Sequence, residues 1–89
     1  ENFVDSVSMM RDYTVSCAYK QNITDELETL LTGHKLKPRG KRYVRQKDHI
    51  TCYWTVQGSK KNHEQFVSHL LNDDRIIEFD SSEFKLGKL

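Results

Sequence analysis

The stretch that decides the fold is CYWTVQGSKKNHEQF, residues 52–66. It starts within a longer segment, HITCYWTVQ at residues 49–57, in which apolar side chains or cysteine occupy every second position. That alternation is typical of a β-strand with one buried face. Because Trp54 falls in the buried phase, we predict a central strand with its tryptophan in the core, ended by Gly58.

A helix is predicted immediately after this strand. Asn62 followed by Gln65 resembles a capping box, and apolar side chains then recur at helical spacing up to Leu71. Polar residues break the helical pattern, and the short apolar segment RIIEF at residues 75–79 predicts a closing strand. The second half of the chain is therefore predicted to be strand, helix and strand.

The first half of the chain shows the same order of elements. Residues 12–20, DYTVSCAYK, alternate like a strand with one buried face, and a helix is predicted from Asn22 or Thr24 as its cap to Gly33 as its stop. Residues 35–47 carry many cations and are interrupted by proline and glycine. This pattern predicts an irregular edge strand whose charges discourage pairing between molecules.

Together these elements predict an α+β, ferredoxin-like βαββαβ sandwich, with a four-stranded antiparallel sheet and both helices on one face. We expect the domain to span residues 12–80. Residues 1–11 are predicted to be a linker or an N-terminal extension, and residues 81–89 a polar C-terminal tail.

Charge and composition limit the classes of function. The chain has 89 residues, enough for one small domain, with fourteen Lys and Arg against thirteen Asp and Glu. This balance argues against attraction of the whole domain to nucleic acid or membrane, and no apolar run is long enough to insert this segment into a bilayer. Two cysteines are too few for a disulfide scaffold, which favours a reducing compartment. Because the chain begins at Glu1 and not at Met, we expect a piece of a longer protein.

The sequence contains no constellation that predicts catalysis, a cofactor or a metal site. Cys17 and Cys52 lie far apart, whereas zinc ligands usually come in close pairs. Alternation also places His49 and Cys52 on opposite faces of the sheet. Since both cysteines fall in the apolar phase of strands, we expect buried structural thiols and not nucleophiles.

The segment GSKK at residues 58–61 resembles a phosphate-binding loop only in part. A P-loop needs a glycine, four further residues and then Gly-Lys-Ser/Thr, whereas here a single glycine precedes the helix. We therefore predict a turn with exposed lysines, at which one anion could bind the helix N-terminus. The residues expected to contact such an anion are Ser59, Lys60 and Lys61.

The predicted architecture leaves one face of the sheet without a helix to cover it. The outward phase of the strands is small, semi-polar and rich in threonine, so it can lie in solvent, pair with another subunit or receive a ligand. The residues expected to form an interaction surface are Thr14, Ser16, Thr51, Tyr53 and Thr55. We also expect a homodimer, formed either through a sheet edge or through this uncovered face.

RNA binding is the main alternative, because the RNA-recognition motif has the same order of elements. The segment RGKRYV at residues 39–44 resembles part of its signature. However, Lys41 and Gln46 occupy the places of stacking aromatics, and the segment lies on the second strand instead of the third. We therefore expect nucleic acid not to be the partner; salt-sensitive oligonucleotide binding that depends on Tyr53 and Arg45 would favour this alternative.

The segment WTVQGSKKNHEQF at residues 54–66, followed by DRIIEF at 74–79, resembles a known group of proteins. With the order of elements, it is similar to the soluble C-terminal domain of MgtC/SapB-type membrane proteins, which resembles an ACT regulatory domain. The resemblance covers residues 11–80. It rests on a strand that ends in glycine, a polar helix start with histidine and a closing strand.

This resemblance implies an ACT-like fold and a non-catalytic regulatory or interaction domain. It implies a bacterial protein whose own transmembrane domain, absent from this chain, places the segment at the cytoplasmic face of the inner (cell) membrane, in a family linked to magnesium homeostasis. The family's characteristic residues lie mainly in the membrane part, so it implies no site residue here. Small-molecule sensing is a further alternative. Amino-acid-binding ACT domains, however, usually carry an Asp/Asn-x-Pro-Gly-like turn where this chain has YKQNIT at residues 19–24.

Overall fold

Six secondary-structure elements alternate along residues 7–83, the part of the chain that the computed structural model describes. In chain order they are β1 (Ser8–Ala18), α1 (Ile23–Gly33), β2 (Lys37–Gln46), β3 (His49–Ser59), α2 (Lys60–Leu71) and β4 (Ile76–Glu83). The strands form one antiparallel sheet in the order β2-β3-β1-β4. The predicted α+β, ferredoxin-like βαββαβ fold is therefore confirmed.

The hydrophobic core lies between the sheet and the two helices. Alternate side chains of β1 and β3 point into it and pack against the apolar stripes of α1 and α2. Because the buried side chains of both helices join the same strand face, the helices cover one side of the sheet, as predicted. The buried apolar residues are Tyr13, Val15, Cys17, Ile23, Leu27, Leu31, Leu36, Ile50, Cys52, Trp54, Val56, Phe66 and Leu70.

The first and last strands of the chain, β1 and β4, are longer than the alternating pattern predicts. Residues 8–11, predicted to lie in an N-terminal linker or extension, form the start of β1, and residues 81–83, predicted to lie in the tail, form the end of β4. Pairing requires only backbone N–H and C=O groups, so a strand continues where its side chains no longer alternate. The rest of the predicted extension and tail lies outside the described residues, and residues 12–80 as the bounds of the domain stay a prediction.

The second helix starts earlier than the capping-box pattern predicts. Ser59 is its N-cap, and its side-chain hydroxyl accepts a hydrogen bond of 3.1 Å from the backbone N–H of Asn62. Asn62 therefore lies inside the first turn, and its prediction as the cap is wrong. Serine and asparagine are both good caps, so the local sequence allowed either position.

The first helix ends at the predicted glycine, although the left-handed residue of its C-terminal turn lies two positions later. Gly33 is the last residue of α1, but the left-handed backbone conformation occurs at Lys35, with φ of 60°. The backbone N–H groups of His34 and Leu36 bond back to the Leu31 carbonyl and so satisfy the helix end. This turn brings Leu36 into the core at the start of β2.

Asp73 organises the turn between α2 and β4. Its carboxylate accepts hydrogen bonds from the backbone N–H of Arg75 at 2.9 Å, from the Arg75 guanidinium at 2.7 and 3.0 Å, and from the His69 ring at 3.0 Å. The Asp73 side chain is only 9% exposed. The Arg75 side-chain hydrogen bonds hold the pKa of Asp73 well below its usual range, although burial opposes them. This carboxylate is thus a structural anchor and not a solvated helix-end charge.

We expect the substitution Asp73→Asn to destabilise the domain by about 1–2 kcal/mol near pH 7, because it removes charge-assisted hydrogen bonds. Since the pKa of Asp73 is lowered on folding, its stabilisation is complete above the unfolded pKa of about 3.9 and is lost as pH falls below it. Urea denaturation of both proteins across pH 2–7 measures the difference. The exposed neighbour Asp74 provides the matched control Asp74→Asn; a difference for Asp73→Asn that does not shrink in acid would contradict this assignment.

Candidate functional site

The sheet face opposite the helices, here called the outer face, contains all five side chains predicted to form an interaction surface. The pairing of β1 with β3 places Thr14 opposite Tyr53 and Ser16 opposite Thr51, while Thr55 lies opposite Asp12. Cross-strand partners in an antiparallel sheet point to the same side. The structure therefore brings the five residues together, and their role in binding a partner stays a prediction.

Polar contacts tie the strands together across the outer face. The Ser16 and Thr51 hydroxyls lie 3.0 Å apart, and the Thr55 hydroxyl donates to the Asp12 carboxylate at 2.8 Å. Farther along β3, the Gln57 amide accepts from Arg39 at 2.7 Å and donates to the Ser8 hydroxyl at 2.9 Å. These bonds link β2, β3 and β1 and give the face a defined polar surface.

One row of side chains crosses all four strands of the outer face. Arg42 pairs with Tyr53, Tyr53 with Thr14, and Thr14 with Asp80. The Arg42 guanidinium carbon lies 4.1 Å from the centre of the Tyr53 ring, a cation–π contact. The row thus runs from a cation at the β2 edge, through an aromatic ring and a hydroxyl, to a carboxylate at the β4 edge.

An open depression of about 470 Å³ occupies the acidic half of this face. Hydroxyl groups line its floor and two carboxylates line one side. Its residues are Thr14, Ser16, Thr51, Tyr53, Glu78, Phe79 and Asp80. Sequence reasoning identified the hydroxyl residues and missed Arg42, Glu78 and Asp80. Alternation within β4 marks Glu78 and Asp80 as sharing a face, but the register that joins β4 to β1 cannot be read from it.

The predicted anion contacts lie at the opposite end of β3, at the N-terminus of α2. The Ser59 hydroxyl is engaged as the helix cap, while Lys60 and Lys61 are exposed. Lys61 lines a shallow depression of about 240 Å³ whose other residues are Gly33, His34, Lys35, Asn62 and Gln65. The fold thus adds His34 and Lys35 to the predicted set, and anion binding there stays a prediction.

The cation run of β2 is divided between the two sides of the sheet. Lys41 forms an ion pair with Glu28 of α1 at 3.2 Å, and the Tyr43 hydroxyl donates to the same carboxylate. Arg42 lies on the outer face, whereas Arg45 stacks on Tyr19 with its guanidinium carbon 3.7 Å from the ring centre. The run therefore does not form one continuous basic surface.

These stacking contacts bear on the RNA-binding alternative. Base recognition by a sheet requires aromatic rings with a free face on which bases stack. One face of Tyr53 is covered by Arg42, and Tyr19 is covered by Arg45. The arrangement of the described residues therefore gives the RNA alternative no additional support.

Both cysteines are buried, as predicted. Burial raises the pKa of the Cys52 thiol to about 12 and also raises the pKa of Cys17. Such thiols are poor nucleophiles at neutral pH because the thiolate is the reactive form. Within residues 7–83, no group of three or more His, Cys, Asp or Glu side chains is placed to hold a metal ion.

His63, the histidine of the polar helix start, is fully buried. Its Nε2 lies 3.1 Å from the backbone oxygen of Met9, and its Nδ1 lies 2.8 Å from the Tyr13 hydroxyl. Because a carbonyl oxygen only accepts, Nε2 donates to Met9, and in the neutral ring Nδ1 accepts from Tyr13. This histidine connects α2 to β1 and is not available to an external anion.

Comparison with solved structures finds the same fold in ACT domains and in an MgtC protein. The C-terminal domain of the MgtC protein from Mycobacterium tuberculosis matches with a TM-score of 0.64 and 14% identity, over 99% of this chain and 97% of that one. The ACT domain of GTP pyrophosphokinase from Chlorobium tepidum matches with a TM-score of 0.71 and 8% identity, over 85% and 100%. The ACT-like fold implied by the sequence resemblance is therefore confirmed.

The same fold also occurs inside a larger enzyme. A homoserine dehydrogenase from Thiobacillus denitrificans matches with a TM-score of 0.69 and 8% identity, over 92% of this chain but only 19% of that protein. No protein-family model matches the sequence, and no curated protein matches it either. Among residues 7–83, no helix is long and apolar enough to cross a membrane.

Proposed function

We propose that this chain is a non-catalytic regulatory or interaction domain, and that it serves as the cytoplasmic C-terminal domain of an MgtC/SapB-like membrane protein involved in magnesium homeostasis. The observation that carries the proposal is the match to the MgtC C-terminal domain over nearly the full length of both chains. A match that covers nearly all of both chains favours a domain with the same boundaries as the MgtC domain. In the homoserine dehydrogenase, by contrast, the fold makes up only a small part of the protein.

The chemistry of the described residues agrees with a binding role. The cysteine thiols of the domain are buried and their pKa values are raised. The hydroxyl-rich outer face lies open beside the carboxylates of Glu78 and Asp80. A shallow, open, polar depression suits recognition of another surface better than enclosure of a reacting substrate. We therefore assign the outer face, and not a cleft, as the working part of the domain.

The membrane context is tested by fractionating cells that express the complete parent protein from its own gene. We expect an antibody against residues 12–80 to find the protein in the membrane fraction, resistant to high salt and released by detergent. A cytosolic enzyme and an integral membrane protein of the same cells serve as controls. Recovery of the parent protein in the cytosol would overturn the membrane assignment.

The magnesium link is tested in the same cells by an in-frame deletion of residues 12–80 that leaves the remainder of the parent protein intact. We expect slower growth in low-magnesium medium and normal growth when magnesium is plentiful. A variant with the exposed Leu71 replaced by alanine is the matched control, because it alters the domain surface away from the outer face. Equal growth of deletion and parent strains at low magnesium would argue against the proposal.

A further inference from the structure

The outer face carries charges that have no ion-pair partner within residues 7–83. Arg42 at the β2 edge, and Glu78 and Asp80 at the β4 edge, are all exposed, and none of them forms an ion pair with another residue of the segment 7–83. By contrast, Lys41 on β2 and Arg75 in the turn before β4 do form ion pairs. Arg42, Glu78 and Asp80 therefore place charges without an ion pair on the face that no helix covers.

The order of the strands separates these charges by sign. Arg42 and Asp80 end the same cross-strand row, with Tyr53 and Thr14 between them. Neighbouring strands lie about 4.8 Å apart, so three strand spacings separate the two charged ends by about 14 Å. The face is thus positive along one edge and negative along the other, with hydroxyl groups and the hydrogen-bonded Asp12 carboxylate between them.

Such a face is complementary to itself under one kind of twofold symmetry. An axis parallel to the strands, lying between two facing sheets, places β2 of one copy over β4 of the other and β3 over β1. Arg42 of each copy then faces Asp80 of the other, and Tyr53 faces Thr14. A twofold axis across the strands would instead place the Arg42 edges over each other, and like charges would repel.

We propose that two copies of this chain associate through their outer faces, with the strands of the two sheets aligned and each Arg42 paired with Asp80 of the second copy. Aligned sheets pack about 10 Å apart, a gap that an arginine and a carboxylate side chain span together. The small side chains of Thr14, Ser16 and Thr51 allow this approach. This inference names the partner of the proposed interaction domain and rests on that proposal.

The same charges disfavour the competing dimer through a sheet edge. Two β2 edges would bring Lys41, Arg42 and Arg45 close to their own copies, and Pro38 removes one backbone donor. Two β4 edges would bring Glu78 and Asp80 against their own copies in the same way. Facing sheets are therefore the symmetric arrangement in which opposite charges meet.

Sedimentation velocity of the full chain over a concentration series tests this dimer. We expect a dimer that strengthens with protein concentration and weakens with salt, because the charge pairs lie near the rim. Arg42→Glu and Asp80→Arg are each expected to weaken it by about 10- to 100-fold, since each places like charges opposite each other twice. Glu64→Arg, an exposed charge reversal on α2, is the matched control and should leave the dimer unchanged.

The decisive test is whether combining the two charge-reversed variants restores the dimer. An equal mixture of Arg42→Glu and Asp80→Arg restores both opposite-charge contacts, so a heterodimer is expected where each variant alone is monomeric. The double variant R42E/D80R should again form a homodimer. Both rescues also show that the variants are folded.

Three outcomes would overturn the inference: a wild-type chain that stays monomeric at its highest soluble concentration, a dimer insensitive to either reversal, or a mixture that fails to associate. A monomeric chain whose parent still fractionates with membranes would reject this dimer and leave the proposed function standing. A chain that dimerises as described, but whose parent protein is found in the cytosol, would confirm the dimer and reject the membrane assignment.

Discussion

Replacing Phe66 by alanine is expected to cost about 3–5 kcal/mol of the free energy of unfolding. Phe66 is fully buried where α2 meets the sheet. Its ring lies edge-on to Tyr13 at 5.3 Å and to His34 at 5.7 Å, and 6.4 Å from Trp54 at a tilt. Alanine would leave a cavity between α2, β1 and β3 that these rings cannot fill without moving.

A domain of this size has a total stability of about 5–10 kcal/mol, so the alanine variant is expected to be close to unfolding at 25 °C. Urea denaturation followed by tryptophan fluorescence measures the loss, because Trp54 lies next to the substituted ring. Phe66→Leu retains most of the volume and should cost less than about 1.5 kcal/mol, which keeps the comparison measurable. The control Leu71→Ala, at a position of the same helix that is 70% exposed, should stay within about 0.5 kcal/mol. A loss below 1 kcal/mol for Phe66→Ala would show that the core is packed differently.

A second large effect is expected at Gly58, because a buried neighbouring side chain occupies the space that a Cβ atom would need. A Cβ atom built there would overlap Cδ2 of Leu36, which is fully buried at the start of β2. The Gly58 backbone itself is not in the left-handed region. We therefore expect Gly58→Ala to cost about 1–3 kcal/mol through overpacking and not through backbone strain.

A double-mutant cycle that combines Gly58→Ala with Leu36→Ala tests whether steric overlap with Leu36 causes the loss of stability. Leu36→Ala alone is expected to cost about 2–5 kcal/mol, but in that background the methyl group of Gly58→Ala occupies vacated space. The double variant should therefore be more stable than the sum of the single losses predicts, by about 0.5–3 kcal/mol. Gly33→Ala is the control, because a Cβ there meets no atom within 4 Å and the residue has no left-handed backbone. Strict additivity of the Gly58 and Leu36 substitutions would refute the steric explanation.

Gly58 also illustrates what a sequence pattern can and cannot assign. The glycine was predicted to end the central strand, yet β3 continues through it to Ser59. Its actual role is to let Leu36 approach, and nothing in residues 49–66 indicates that neighbour. Contacts between segments far apart in the chain have no local signal, and His63 with Tyr13 is a second case.

Some residues of the outer face could be predicted from the sequence, and others could be placed there only from the structure. Alternation within β1 and β3 was enough to predict that Thr14, Ser16, Thr51, Tyr53 and Thr55 share a face, because side chains in a strand alternate strictly. Arg42 and Asp80 join that face only through the pairing of β2 with β3 and of β4 with β1. The bulge between Pro38 and Gly40 and the irregularity at Ser16 and Cys17 shift those registers. Proline and glycine correctly predicted that β2 is irregular, but they do not give the size of the register shift, and no residue pattern marks the irregularity in β1.

The sequence by itself determined the order of the elements, the side of each central strand that is buried and therefore the ferredoxin-like βαββαβ fold, because apolar periodicity records locally which side chains leave water. Only the tertiary structure decided which distant residues meet: Phe66 with Tyr13, Gly58 with Leu36, and the charged ends of the row from Arg42 to Asp80. Those meetings depend on backbone register between strands, which hydrogen bonds common to all residue types establish. The fold could therefore be predicted from the sequence, whereas the proposed binding surface forms only when the strands pair.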